Sequence, residues 1–370
     1  MSNTAHASEA SAGMQSSAGT VDASQEPLVF TGKTDEYFRI WIVNTALSIV
    51  TLGIYYAWAK VRTRKYFYRN TLIMGDSFDY HANPMRILRG HLIAVVIMAP
   101  YAVISYMRPD LAIVYFILIA LAIPVLWVQS RIFNLSNSSY RGIRFAFLRD
   151  YKGAYAAIIK GMAVTLFTLG FAAGYAEYYR ARFNVDNSSW GKSKFTYTGR
   201  GGAFVELYLI AFFITLGVLA VVFVIFFLVM MVLGGLVQKN GAGSISSAVS
   251  NAVIVAVYVL LVFAYAAPFA YLSAGRQNLT INGARFGSHT MSSDVKTIQL
   301  MKLYLSNLFF IMVSFGLLIP WAKIRVTRYR LSKVCLHLDG ELRTRRGDDE
   351  SSDGAMADTL GDALSLDFGL

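Results

Sequence analysis

Long apolar segments alternate with short basic segments along the 370-residue chain. Two stretches, at about 90–130 and 204–272, are each long enough for a pair of bilayer-crossing helices, since one such helix needs about 20 apolar residues. Three shorter apolar runs, at about 38–60, 155–176 and 302–323, each end near an aromatic residue that is followed by charged residues. This pattern predicts an all-α polytopic membrane protein.

The three shorter runs resemble one another. Each contains Thr-Leu-Gly or Ser-Phe-Gly, at 51–53, 168–170 and 314–316. The first and last runs then reach Trp-Ala-Lys, ending at Lys60 and Lys323, whereas the middle run has Tyr-Ala-Glu, ending at Glu177. Nine residues before the glycine stand Asn44, Gly161 and Asn307, respectively. We therefore predict internal repeats, which are common in membrane folds because one unit packs against its copy.

The runs and hairpins together form one predicted membrane domain, 29–340. The segments 1–28 and 341–370 are predicted to be disordered tails, because they are polar or acidic and lack apolar runs. Within 70–80, a Gly-Asp pair stands between apolar and aromatic residues, which is typical of a β-hairpin. We therefore predict small cytoplasmic β elements beside the helices.

Composition and charge agree with a membrane protein. Apolar residues make up 55% of the chain, above the usual share of soluble domains. The net charge of +12 includes ten acids in the tails 1–28 and 348–370, which contain no Lys or Arg, so residues 29–347 carry +22. Cations beside apolar helices favour contact with anionic lipids and argue against nucleic acid as a partner. The pattern predicts the phospholipid bilayer as the partner and leaves the oligomeric state open.

The distribution of Lys and Arg bears on topology. If all seven apolar segments cross and the densest basic cluster, at 60–90, is cytoplasmic, the basic segments near 177–202 and 275–298 lie outside, against the bias of cations toward the cytoplasm. If the three shorter runs instead enter and return on one side, every basic segment and both tails become cytoplasmic. Against this second arrangement, each run has the length of a single span. The sequence favours re-entrant runs.

Two sets of residues are candidates for function. The first contains the cations after the tryptophan in the first and last runs: Lys60, Arg62, Arg64, Lys65, Lys323, Arg325, Arg328 and Arg330. They either anchor the topology or bind anionic lipid head groups. The second contains polar groups in or beside apolar segments: Asn44, Asn307, Glu177 and Glu206. Such groups face a bundle interior or a cavity, and interhelical hydrogen bonds or ion pairs are their simpler roles.

No catalytic, metal or cofactor site is predicted. The five histidines lack the spacing of metal ligands, and Cys335 is the only cysteine, so neither a disulfide within the chain nor a thiolate cluster is possible.

A resemblance to a known family rests on several of these motifs. They are Phe30-Thr-Gly, Asn44, the segment 51–62, Gly75-Asp-Ser-Phe-Asp-Tyr-His81, the segment 166–170 and Gly316-Leu-Leu-Ile-Pro-Trp-Ala-Lys323. With them, the chain resembles the YjgN-like family of bacterial inner-membrane proteins over about residues 28–340. The resemblance implies the bacterial inner membrane but no activity, because the function of that family is unknown.

The functional prediction is transport or channel-like permeation of a small or anionic solute, because repeats with glycine-broken membrane segments suit a cavity at their interface. The alternative is a non-transporting membrane scaffold or an anionic-lipid-binding protein. An enzyme acting on lipid ranks third.

Overall fold

A computed structural model describes residues 24–339, except 192 and 241–246. Its helices are α1 Thr34–Val50, α2 Tyr56–Arg69, α3 Pro84–Met107, α4 Pro109–Ser136, α5 Tyr151–Phe167, α6 Gly174–Asp186, α7 Gly201–Asn240, α8 Ser247–Ala264, α9 Ala266–Gly283, α10 Thr297–Val313 and α11 Ile319–Leu331. Its strands are β1 Ser24–Pro27, β2 Val29–Phe30, β3 Thr71–Ile73, β4 Asp76–Tyr80, β5 Ser138–Tyr140, β6 Ile143–Phe147, β7 Ser188–Trp190, β8 Ser193–Tyr197, β9 Ala284–Phe286, β10 His289–Ser293 and β11 Val334–Leu338. The strand β1 begins inside the segment that the sequence assigns to the first tail.

All eleven strands belong to one antiparallel, barrel-like sheet in the order β1-β11-β10-β9-β8-β7-β6-β5-β4-β3-β2. The two ends of this order, β1 and β2, are separated in the chain only by Leu28. The Leu28 N–H donates to the Val334 carbonyl at 3.1 Å, and β1 pairs with β11 while β2 pairs with β3. The short stretch around Leu28 therefore closes the sheet on itself.

Helices and strands alternate regularly. A helical hairpin leaves the sheet after each of β2, β4, β6, β8 and β10, and the chain returns at the next strand along. Both ends of every helical hairpin are therefore attached to the same sheet.

One face of the sheet forms the core. Along most strands, buried side chains alternate with more exposed ones, as the period of a strand requires, whereas all three residues of β5 are buried. The buried positions are rich in aromatics: Phe78 and Tyr80 on β4, Phe145 and Phe147 on β6, and Phe195 and Tyr197 on β8. Residues near the ends of the returning helices, among them Phe67, Phe183 and Ile281, pack into the same cluster.

The prediction of an all-α protein with small β elements is therefore wrong. The chain is largely helical, but its strands join into one large sheet that holds all five helical hairpins. The predicted hairpin around Gly75 is present as β3 and β4. What the prediction missed is the pairing between successive hairpins, such as β4 with β5 and β6 with β7. These pairs join strands that are far apart in the chain, and each strand has only two to five residues.

Within the described residues, four helical segments are long and apolar enough to cross a membrane: Pro84–Met107, Pro109–Ser136, Gly201–Gly235 and Asn251–Gly283. They lie in the two regions that the sequence assigns to spanning hairpins. The chain has the character of a membrane protein.

Each of the three shorter runs is broken into two helices at its glycine motif. Gly53, Gly170 and Gly316 have φ between 88° and 91°, a region that glycine enters without the strain a side chain brings. The threonine or serine of the motif caps the helix beyond the turn, since Thr51 Oγ1 accepts from Tyr55 N at 2.9 Å and Ser314 Oγ from Leu318 N at 3.1 Å. The motif is thus a turn signal with its own cap.

A candidate anion-binding groove

The α10–α11 hairpin is held together by a side chain from the second candidate set. Asn307 Nδ2 donates to the Ala322 carbonyl at 3.4 Å, and Asn44 Nδ2 donates to the Ala59 carbonyl at the same distance in the α1–α2 hairpin. Both asparagines are 5% exposed. At the corresponding place between α5 and α6, a Cβ on Gly161 would lie 2.9 Å from Ala176 Cα. Glycine there allows the two helices to approach without a bridging amide.

A tyrosine closes the other end of each of these two hairpins. The Tyr329 hydroxyl accepts from Lys296 N at 3.1 Å, and the Tyr66 hydroxyl accepts from Lys33 N at 2.8 Å. The two contacts join residues 33 positions apart in both hairpins, a spacing that sequence reasoning missed.

The cations of α11 point in two directions. Arg325 and Arg328, three residues apart, share one side of the helix, whereas Lys323 and Arg330, seven apart, share another. Sequence reasoning grouped these four cations as one set and did not separate the two sides of the helix. Arg328 is exposed and Arg325 partly exposed, whereas Arg330 is buried and Lys323 lies between two aromatic rings.

Arg325 and Arg328 line a groove of about 630 Å³ between α10, α11 and the start of α1. The groove combines an apolar wall with a polar one. Its apolar wall consists of Leu303, Phe310, Trp321 and Ile324, and its polar wall consists of Thr34, Ser306, Arg325, Arg328, Tyr329 and Ser332. The arrangement suits an amphipathic anion.

Contacts hold both arginines in place. Arg325 Nη1 donates to Ser306 Oγ at 2.8 Å and to Asn307 Oδ1 at 3.3 Å, and its guanidinium lies 5.0 Å from the Trp321 ring centre. Arg328 Nη2 donates to the Gly32 carbonyl at 2.9 Å. Since Gly32 follows β2, closure of the sheet brings the residues just after β2 to α11. Each guanidinium keeps further donors for a ligand, because arginine has five.

Lys323 enters the interior between two aromatic rings of the α1–α2 hairpin. Its Nζ lies 5.3 Å from the Phe67 ring centre and 5.9 Å from that of Tyr37, within the range of cation–π attraction. Burial, and to a smaller extent the nearby charge of Arg64, lowers the pKa of Lys323 to about 8. The ammonium is still mostly protonated at neutral pH. Lys323 thus joins the last helix to the first hairpin.

Arg330 is also an interior residue, only 5% exposed. Its Nε donates to Gln277 Oε1 at 2.6 Å and its Nη2 to the Ser273 carbonyl at 3.5 Å. Burial lowers the pKa of Arg330. These contacts join α11 to α9 and do not face the groove.

The α2 cations divide in a similar way. Arg64 Nη1 donates to the Tyr80 hydroxyl at 3.1 Å and also to Asn134 Oδ1, so it connects α2 to the sheet and to α4. Lys60 lies 5.7 Å from the Tyr56 ring centre, and burial lowers its pKa. Arg62 is exposed and Lys65 is partly buried, and neither makes a hydrogen bond or ion pair within the described part of the chain.

The remaining polar candidates do not converge with these cations. Glu177 forms an ion pair with Arg180 on α6, the local pairing that the sequence offered as its simplest role. Glu206 is exposed near the start of α7. Among residues 24–339, gaps aside, no three His, Cys, Asp or Glu side chains come together as metal ligands would.

Comparison with known proteins supports the resemblance in the sequence. A family model described as "Bacterial protein of unknown function (DUF898)" matches residues 25–363. Inner membrane protein YjgN of Salmonella typhimurium is 32% identical over 135 residues, and YjgN of Escherichia coli K12 is 30% identical over 137 residues. Each alignment covers 36% of this chain and 34% of the relative, so only about a third of these curated relatives is matched. No solved structure matches the chain.

The predicted resemblance is therefore confirmed, with a match somewhat longer than the motifs alone indicate. Since the family model matches more than nine-tenths of the chain, the protein belongs to the DUF898 family of bacterial proteins of unknown function.

Proposed function

We propose that this protein resides in the bacterial inner membrane and binds anionic phospholipid through the groove beside α11. The observation that carries the proposal is the pairing of Arg325 and Arg328 with an aromatic and aliphatic wall in one groove. A phospholipid presents the same combination, a phosphate next to acyl chains. Guanidinium groups are well suited to phosphate because they donate in a planar fork. The names of the relatives support the membrane assignment.

Transport of a small or anionic solute, which the sequence favours, has less support. A cavity lined by Asn44 and Asn307 would favour transport, but both amides bridge the two helices of a hairpin. The inward cations Lys60, Arg64 and Lys323 are the observation in its favour, since a permeating anion would be attracted to them. The groove is the stronger site because it combines charge with an apolar wall.

The groove is tested by changing both arginines, Arg325→Gln with Arg328→Gln, in protein purified from vesicles of phosphatidylglycerol and phosphatidylcholine. Each basic residue near an anionic surface contributes about 1 kcal/mol, so retained phosphatidylglycerol should fall about tenfold to thirtyfold. Native mass spectrometry counts the lipids that remain after detergent exchange.

The matched control is Arg86→Gln with Arg89→Gln, two exposed α3 arginines with the same spacing and the same total charge. We expect the phosphatidylglycerol retained by this control to fall less than twofold. Equal losses in the two double variants would show that the groove has no special role.

As part of the same proposal, the three shorter runs are related repeats that insert into the membrane from the side of the sheet and turn back without crossing. The apolar side chains at the turns of these runs are almost fully exposed: Leu52 is 94% exposed, Leu169 87% and Phe315 97%. The helices α1, α5 and α10 have 17 residues each, about 25 Å of helix, which is shorter than a hydrocarbon core of about 30 Å. Lipid would cover these turns.

This arrangement places the sheet and both tails in the cytoplasm, as the bias of Lys and Arg toward that side requires. Single cysteines in a Cys335→Ser background test it in spheroplasts with an impermeant thiol reagent. We expect Arg108→Cys, at the α3–α4 turn, to react directly, and Ser288→Cys and Thr196→Cys, on the sheet, to react only after permeabilisation. Efficient labelling of the two sheet positions in intact spheroplasts would refute the orientation.

A further inference from the structure

Three exposed cations lie together on the outer face of the sheet: Arg144 on β6, Lys194 on β8 and Arg285 on β9. The register places them on the same face. Ser189 of β7 is opposite both Ala146 and Lys194, and Thr196 is opposite Arg285. Directly opposed residues point to one side of a sheet, as do residues two apart in a strand. We call these three residues the outer cationic face.

The charge of this face is uncompensated within the described part of the chain. No acidic partner lies within ion-pair distance of Arg144, Lys194 or Arg285 there. Two other cations beside the sheet do have acidic partners: Arg69 bonds Asp79 at 3.0 Å, and Arg141 pairs with Asp76. The strands β6, β8 and β9 thus carry positive charge that no acid of the described residues offsets.

The last described residue, Asp339, lies next to this part of the sheet. Asp339, just after β11, donates its N–H to His289 Nδ1 at 3.1 Å and accepts from Ser288 Oγ at 3.3 Å. Ser288 and His289 stand at the turn between β9 and β10, and β9 carries Arg285. Asp339 therefore lies beside the turn of the β9–β10 hairpin.

The sequence beyond Asp339 is first basic, with Arg343, Arg345 and Arg346, and takes the complementary negative charge from Asp348 onward. Residues 348–370 contain seven acids and no Lys or Arg. Nine residues from 339 to 348 span at most about 30 Å when extended. The strands β8 and β6 lie three and five places from β11 in the sheet, or about 14 and 24 Å at about 4.8 Å a strand. The acidic segment can reach all three cations.

We propose that the acidic segment 348–370 binds the outer cationic face of its own chain. The contact is electrostatic, so salt should weaken it, because charges separated by more than the Debye length of about 8 Å at physiological salt are screened. Bound there, the segment would keep anionic surfaces and polyanions away from the sheet. The proposal does not depend on the lipid groove, which lies on another part of the molecule.

The test is zero-length cross-linking of the full chain with a carbodiimide, which joins lysine amines to carboxylates, followed by peptide mass spectrometry. We expect Lys194 to be linked to acids between Asp348 and Asp367, with at least a fivefold smaller yield in 0.5 M NaCl. Lys33 is the internal control, since its amine lies 3.8 Å from Glu36 and should link to that residue instead.

Two further experiments test whether the Lys194 links depend on the acidic residues and whether they form within one chain. A variant with amides at the seven acidic positions leaves residues 24–339 unchanged and should lose the Lys194 links while keeping the Lys33 link. A mixture of 14N and 15N chains separates links within a chain from links between copies. The proposal is overturned if Lys194 links to the acidic segment no more often than Lys33 does, or if the links join heavy to light chains.

Discussion

Replacing Gly174 with alanine is expected to destabilise the protein by about 3 kcal/mol or more, a result that depends on how α6 meets α7. A Cβ at this position would lie 2.2 Å from the Phe204 carbonyl oxygen and 2.4 Å from its carbon. Both are backbone atoms of α7, so no side-chain rotation relieves the clash, and overpacking alone costs about 1–3 kcal/mol. Phe204 is itself fully buried in the sheet core, which leaves α7 little room to move.

The matched control is Gly217→Ala on α7, the helix against which Gly174 of α6 packs. A Cβ on Gly217 would meet nothing within 4 Å, and alanine favours a helix over glycine by about 1 kcal/mol. Thermal unfolding followed by size-exclusion chromatography should therefore show a large loss of Tm for Gly174→Ala and none for Gly217→Ala. A normal Tm for Gly174→Ala would mean that α6 and α7 are farther apart.

Replacing Leu28 with aspartate is expected to open the sheet. Leu28 is 2% exposed and is the sole residue between β1 and β2, where the sheet closes. A carboxylate at that site loses its hydration without gaining a partner, which costs at least several kcal/mol. An open sheet would present β2 and β11 as free edges, and free edges promote association with other chains.

Hydrogen exchange monitors this closure directly. We expect the amides of Val334–Leu338 to exchange at least tenfold faster in Leu28→Asp than in the parent chain. Val29→Asp is the control, because Val29 is the next residue and is 52% exposed on the opposite face. If the two variants exchange alike, then the junction at Leu28 does not hold the sheet together.

The candidate cations show which features of the site could be predicted from the sequence and which could not. The basic clusters after Trp58 and Trp321 are plain in the sequence, and so is their proximity to the membrane. Lys323 and Arg330 nevertheless turn inward, because Phe67, Tyr37 and Gln277 from distant helices surround them. Helical spacing separates them from Arg325 and Arg328, but it does not say which side faces the interior. That choice depends on neighbours contributed by α1, α2 and α9.

The groove could likewise not be predicted from the sequence. Its wall includes Thr34 from the first helix, and Arg328 is held by the Gly32 carbonyl, almost 300 residues away in the chain. Only the closure of the sheet brings these residues together. By contrast, the Thr-Leu-Gly and Ser-Phe-Gly turns were readable, since a positive φ and a hydroxyl cap are local requirements.

The sequence by itself determined the apolar spans, the glycine turns, the β-hairpin around Gly75 and the family, because each depends on residues within a few positions of one another or on a repeated motif. Only the tertiary structure decided that the strands form one closed sheet, which cations are interior and which line a groove. Those features depend on pairing between short strands and on packing between helices that are distant in the chain. Such contacts leave no period or spacing in any single stretch of the sequence.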